Sequence, residues 1–214
     1  MYIFQPDRYL LIKEIKANSQ YIVGKTLDVG AGEMDRYGKF FPNAQIVRMD
    51  INHRDTVQLV GSADNIPTFD LEFDSIICTQ VFEHLSDPWK SANELYRVLK
   101  NGGHVLLTVP QMNELHEEPH DYFRYTKYGL KNMFEKAGFN VIKVEQRGAY
   151  YSTLAQMRIR HFVGILNLYK RPILGRILGK FIKLYGMFMI YLDSIDPFVD
   201  DKTQTIGWCI VLKK

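Results

Sequence analysis

Thr26-Leu27-Asp28-Val29-Gly30-Ala31-Gly32-Glu33 carries the strongest structural signal in the chain. Thr26 to Val29 is a short apolar run of strand character, and alternate glycines follow it at once. Glycine lets the backbone turn tightly and brings its N–H groups against a ligand. A lone pair of glycines is weak evidence, because many turns contain one. It gains force from Gln45-Ile46-Val47-Arg48-Met49-Asp50, a second strand that ends in a carboxylate. Asp50 lies 22 residues after Asp28. That is close to the spacing of roughly 20 at which a nucleotide-binding fold sets an acid on a ribose hydroxyl pair.

The flanking sequence alternates strands with helices. Asp7 to Ser19, with Leu10, Leu11 and Ile15 against a Lys/Glu face, reads as an amphipathic helix leading into the first strand. Asp35 to Phe41 reads as a short helix stopped before Pro42, and Val57 to Val60 as a brief third strand. Phe73 to Gln80 is a fourth strand whose unbroken apolar centre suits a sheet covered on both faces. Ser86-Asp87-Pro88 starts a helix with the stripe Ala92, Leu95, Val98 and Leu99, which Asn101-Gly102-Gly103 ends. His104 to Val109 is a fifth strand, followed by a polar loop from Gln111 to Tyr125. Thr126 caps a helix carrying Leu130, Met133, Phe134 and Ala137, stopped by Gly138. Val141 to Val144 and Ile206 to Leu212 are strands six and seven. Such alternation predicts a parallel sheet with ligands at the carboxyl ends of its strands.

Composition sets broad bounds. The 214 residues suit one domain, and 46% hydrophobic with 24% charged residues is ordinary for a globular protein. The net charge of +3 names no partner by itself. Cys78 and Cys209 both sit in apolar strand-like runs, so buried free thiols in a reducing, cytoplasmic setting are expected. The N-terminus lacks signal-peptide character, and no run of about 18 apolar residues reads as a membrane span.

At this level the chain resembles the class I S-adenosylmethionine-dependent methyltransferases of the broad small-molecule group. The matching residues are LDVGAG (27–32), Asp50, Ala63-Asp64, FDSIICTQVFEHLSDP (73–88), ELYRVLKNGGHVLLTVP (94–110) and EKAGFNVIKVE (135–145). The resemblance implies a Rossmann-like seven-stranded sheet whose last strand is antiparallel, with a helical insertion between strands six and seven. It implies one methyltransferase domain over 1–214: an N-terminal helix in 1–25, a cofactor-binding core in 26–146, a basic insertion in 147–203 and the last strand in 204–214. Carried over by position, Asp28, Gly30 and Gly32 would meet the methionine end of the cofactor, with Thr79 and Gln80 lining it. Asp50 and the adjoining Ile51 would meet the ribose side. Ala63, Asp64 and Asn65 would surround the adenine. Met34 stands where many members carry a third glycine, and Asp35 occupies the third position of a G-x-G-x-x-G frame. A carboxylate there would repel a pyrophosphate. A nicotinamide-dependent oxidoreductase is therefore the rival enzyme, and a cofactor-fold protein that binds a partner without turnover is the rival of another class.

An oxygen nucleophile would need its proton removed, and histidine is the usual agent. His84 follows strand four and His120 lies in the loop after strand five. His120 is the favoured base because its loop also holds Tyr122, Phe123, Arg124 and Tyr125. Arg124 could hold an anionic substrate group, and Tyr122 or Tyr125 could stack on a ring or face a sulfonium. The HDYFRYT element resembles methyltransferases of bacterial polysaccharide and glycan biosynthesis, which points to O-methylation of a sugar or glycolipid precursor. No Cys/His cluster has metal-ligand spacing, so no metal is expected.

From Gln146 to Leu192 there is no Asp or Glu but there are eight Lys or Arg residues. On a helix from Ile173 to Tyr191, Arg176, Lys180 and Lys183 share one face, and Leu174, Ile177, Leu178, Phe181, Tyr185 and Phe188 fall largely on another. Such a segment suits a lid, a homodimer face or peripheral contact through 158–190 with the inner membrane surface. Nucleic-acid binding is disfavoured, because no recognised RNA- or DNA-binding module accompanies the charge.

Overall fold

The computed structural model describes residues 3–197 and 203–214. Residues 1–2 of the predicted N-terminal segment and 198–202 of the predicted insertion lie outside the described residues. Strands β1 (Gly24–Val29), β2 (Ala44–Asp50), β3 (Leu59–Val60), β4 (Phe73–Thr79), β5 (Leu99–Pro110), β6 (Asn140–Arg147) and β7 (Gly207–Lys213) form one sheet. Its order is β3-β2-β1-β4-β5-β7-β6. The β1–β2, β2–β3, β1–β4 and β4–β5 pairs are parallel. The seventh strand runs against β5: Lys214 donates its amide to Gly103 at one end, and Gln111 to Ile206 at the other. The chain leaves β1 toward β2 and returns to β4 on its other side. That reversal opens a crevice at the carboxyl ends of β1 and β4, where ligands of such sheets bind.

The helices form where the sequence supplies caps and stripes. In α1 (Pro6–Ala17), Leu11 and Ile15 are buried. Asp87 accepts from the Lys90 amide at the start of α2 (Pro88–Val98), and Ala92, Leu95 and Val98 are fully buried. Thr126 accepts from the Gly129 amide at the start of α3 (Lys127–Lys136), which buries Leu130, Met133 and Phe134. Cys78 and Cys209 are buried free thiols. Two local expectations fail. The Asp35–Phe41 helix is only a 3-10 turn at Gly38–Phe40, because Asp35 Oδ1 takes the amides of Tyr37 and Gly38 into a side-chain turn. The fifth strand begins at Leu99, which pairs with Phe73 across a register shift, so Asn101-Gly102-Gly103 lies inside the strand.

The chain divides into two compact units. One comprises 14–110, 115–145 and 208–214 and contains most of the sheet. The other comprises 1–13, 111–114 and 146–207. In this second unit α4 (Tyr150–Ile165) and α5 (Pro172–Ile195) pack around Ala155, Ile159, Val163, Leu168 and Met189. Asp193, the first acid after the basic run, accepts from the amides of Ala149, Tyr151 and Ser152 and so caps α4 from the far end of α5.

The apolar face predicted for α5 is split. Leu174, Leu178 and Tyr185 pack into the unit, but Ile177, Phe181 and Phe188 are more than half exposed. They join Ile173, Leu184, Tyr191 and Ile195, also more than half exposed, in an outward apolar stripe. The inward stripe instead continues through Ile182, Met189 and Leu192. Among the described residues no helix is long and apolar enough to cross a membrane.

Candidate functional site

The turn after β1 is held from beneath. Gly30 and Ala31 donate their amides to the Met49 carbonyl at 2.9 and 3.0 Å, and Gly32 donates to Asp50 Oδ2 at 2.9 Å. These amides are therefore not bare donors facing a ligand, as the glycine pattern suggested. The glycines serve shape instead. Gly30 has φ +70°, and a Cβ there would stand 2.4 Å from Val81 Cγ2. Gly32 has φ +64°, with open space where a Cβ would project.

Arg48 is the fastener that sequence reasoning missed. Only 8% exposed on β2, it donates to the carbonyls of Ala31 (2.9 Å), Gly32 (3.2 Å) and Thr56 (3.2 Å). A buried arginine inside an apolar strand was the available signal, because such a charge needs partners.

Asp28 sits opposite Arg48 in the β1–β2 register. Burial pushes its carboxyl up to about 7; Arg48 opposes the shift, while Asp35 and Asp50 add to it. Asp50, at the end of β2, uses its two oxygens to bind the Gly32 and Asn52 amides. Each oxygen keeps a further lone pair for a hydroxyl donor. Ile51 beside it is 69% exposed and Asn65 is exposed, while Ala63 is buried. A hydrogen bond from Ser62, aided by Lys90 at 3.5 Å, holds Asp64 below the usual carboxylate range. Thr79 ends β4, and Gln80 follows it in the left-handed region at φ +55°. Its amide donates to the Thr108 carbonyl and its side chain to the Thr108 hydroxyl. A non-glycine residue in this conformation costs energy and marks a constrained position.

The loops after β4 and β5 are stitched together. The Glu83 carbonyl accepts from the amides of Tyr122 (2.8 Å) and Phe123 (3.2 Å). His84 Nδ1 lies 2.6 Å from the His120 carbonyl. A carbonyl only accepts, so Nδ1 carries the proton and neutral His84 keeps its lone pair on Nε2. His120 itself is exposed, with Nδ1 3.1 Å from the hydroxyl of Tyr122, which is 47% exposed.

Two residues expected to bind substrate have partners within the protein. Tyr125 is 8% exposed and donates its hydroxyl to the Phe82 carbonyl at 2.8 Å, so it anchors the loop rather than facing a substrate. Burial, followed by the Glu83 charge, raises its hydroxyl above the usual tyrosine range. Arg124 grips both oxygens of Asp121 at 2.7 Å, an internal clamp rather than an open anion holder. One cluster of possible metal ligands is formed by the fold and not by sequence spacing. Glu83, His84 and His116 converge so that one ligand atom from each lies within 4.8 Å of the others. Linear spacing hid this, because His116 is 32 residues beyond His84.

A groove of about 700 Å³ lies in the second unit, lined in part by Met112, Glu114, Leu154, Met157, Arg158 and His161. None of the predicted site residues lines it.

Residues 27–107 match the family model of a methyltransferase domain. The chain thus carries a methyltransferase domain, and its fold is that of the class I S-adenosylmethionine-dependent enzymes. A SAM-dependent methyltransferase from Archaeoglobus fulgidus superposes with a TM-score of 0.60 at 15% identity, covering 97% of this chain and 94% of its own. Phosphoethanolamine N-methyltransferase 2 of Haemonchus contortus, solved with S-adenosyl-L-methionine, superposes with a TM-score of 0.59 at 18% identity, covering 97% and 52%. Among curated proteins, the tRNA U34 carboxymethyltransferase of Campylobacter jejuni subsp. jejuni serotype O:23/36 is 26% identical over 147 residues. The match covers 62% of this chain and spans 50% of that relative.

Proposed function

We propose that the chain binds S-adenosylmethionine at the carboxyl ends of β1 and β4 and methylates an oxygen of a small molecule, sugar or lipid-linked acceptor. The observation that carries the cofactor reading is the internal wiring of the glycine turn. The amides of Gly30, Ala31 and Gly32 serve Met49 and Asp50, so they offer no nest for a pyrophosphate. The acids nearby, Asp50 and Asp64, suit hydroxyl and amino donors rather than phosphate. In this reading Asp50 holds the ribose hydroxyls, with Ile51 beside it. Asp64, with Ala63 and Asn65, receives the adenine. Asp28, Gly30, Gly32, Thr79 and Gln80 surround the methionine end.

The bound cofactor supplies a methyl group already activated on sulfur. The chain's task is alignment, worth up to about 7–11 kcal/mol of a barrier, and removal of the acceptor proton. His120 is the proposed base, exposed beside the Tyr122 ring. His84 is instead tied to the backbone of the loop that carries His120. Transfer of labelled methyl from S-adenosylmethionine to soluble and lipid-linked glycan fractions tests the reading. Cofactor binding without transfer to any fraction would favour a non-catalytic role.

A second reading is favoured by two observations: curated relatives act on tRNA by name, and the segment 146–192 is wholly basic among its charged residues. Label appearing in a tRNA fraction would replace the glycan reading. For location we propose a cytoplasmic protein touching an anionic membrane through 158–190, where the outward apolar stripe of α5 adjoins Arg176, Lys180 and Lys183. Co-sedimentation with anionic but not neutral vesicles, abolished by Phe181→Asp with Leu184→Asp, is the expected result.

A further inference from the structure

The end of β4 and the loop after β5 meet at a side-chain cluster that methyl transfer does not require. The geometry points to a divalent-metal site of the zinc type, formed by Glu83, His84 and His116 and closed by Glu117. Two imidazoles with carboxylates are a donor set suited to zinc. His84 Nε2, the nitrogen left with a lone pair, stands 4.0 Å from Glu83 Oε1 and 4.0 Å from Glu117 Oε2. Bonds of about 2.0–2.1 Å put tetrahedral ligand atoms roughly 3.3 Å apart. The atoms of the Glu83, His84 and His116 trio, all within 4.8 Å, therefore need to close by at most about 1.5 Å.

The surroundings of both histidines are those of metal ligands. A ligating histidine donates its other ring N–H to a carbonyl or carboxylate, which fixes the ring. His84 Nδ1 is engaged by the His120 carbonyl at 2.6 Å, and His116 Nδ1 lies 3.4 Å from Asp121 Oδ2. The Asp121 carboxylate is 1% exposed and is oriented by Arg124 through both oxygens. Glu83 places its carboxylate at zero exposure beside His84 Nε2. Glu117 adopts φ +56°, a left-handed conformation costly for glutamate, as expected of a residue constrained at a clamp.

The ion would fasten the loop carrying His120 and Tyr122 to the end of β4. The inference does not rest on methyl transfer, and its test has its own readout. The full chain, stripped with a chelator and dialysed, is titrated with Zn²⁺ by calorimetry and with Co²⁺ by visible absorption. About one ion per chain and a four-coordinate cobalt spectrum are expected. His84→Gln and His116→Gln should each abolish the spectrum. Asp121→Asn should weaken binding by about 10–100-fold, and His53→Gln, at an exposed site in the same unit, should change nothing. Circular dichroism identifies any variant that misfolds, and the wild-type titration decides the matter without it. Folded wild-type protein that takes up neither ion, or binding that survives both histidine substitutions, would overturn the site. S-adenosylmethionine titration run alongside separates this outcome from failure of the methyltransferase reading.

Discussion

The turn after β1 and the loop after β5 are both irregular segments at the carboxyl edge of the sheet, and they are secured in opposite ways. Gly30, Ala31 and Gly32 find every amide partner on the next strand, at Met49 and Asp50, with Arg48 holding the carbonyls from below. Residues 120–125 find several of their partners some forty positions upstream. Tyr122 and Phe123 bond the Glu83 carbonyl, the Tyr125 hydroxyl bonds Phe82, and the His120 carbonyl meets His84. The first segment is a self-contained cradle built from neighbouring strands. The second takes its shape from a different loop, so its chemistry depends on long-range contacts. A fixed cradle suits an invariant cofactor, and a stitched loop suits a variable acceptor.

Substitutions can separate the two. The largest effect belongs to the second segment: His120→Ala should lower turnover by about 10²–10⁴-fold while leaving S-adenosylmethionine affinity unchanged in a binding titration. Asp50→Ala strikes the cradle twice, removing the proposed ribose acceptor and the partner of the Gly32 amide. Affinity should fall by roughly 100-fold, about two charge-assisted hydrogen bonds at the lower end of their range. Arg48→Met leaves three carbonyls without their donor, and binding should weaken by about tenfold together with a loss of roughly 2 kcal/mol in denaturant unfolding.

The Asp28 carboxyl gives the cradle a pH signature. Its ordinary value is 3.8 and burial lifts it to about 7, so near neutrality a large share of the chains carry it protonated. In the proposed site a cationic methionine end would favour the ionised form, so binding would release a proton. Affinity should therefore rise between about pH 6 and about pH 8 and level off above that range. Asp28→Asn should flatten the rise. The smallest effect is Tyr125→Phe, which removes one buried hydrogen bond to Phe82 and should cost about 1 kcal/mol by urea unfolding.

The strands and their capped helices were legible because their signals are local: apolar runs, Asp87-Pro88 and Thr126 each act within a turn or two. The same holds for Asp50, whose distance from the glycine pair follows from one strand–turn–strand unit. The Asp35–Phe41 segment misled because the competition between a side-chain turn and a helix is decided by one carboxylate, Asp35, closing on Tyr37 and Gly38. Tyr125 and Arg124 differ for the opposite reason. A polar aromatic loop looks like a substrate surface until its partners, Phe82 and Asp121, are seen to occupy those side chains. The Glu83–His84–His116 cluster was illegible because only the fold brings residue 116 to residue 84. On α5 the basic face marked a single apolar face opposite it, but apolar residues lie on two sides, and packing against α4 decides which stripe is covered.

Calorimetric titration of wild type and Asp50→Ala with S-adenosylmethionine, with NADH as the competitor chemistry, tests the cradle most directly. Saturable binding of S-adenosylmethionine to the wild type, weakening by roughly 100-fold in the variant, and no binding of NADH are expected. Binding of NADH, or S-adenosylmethionine binding that Asp50→Ala leaves intact, would contradict this reading.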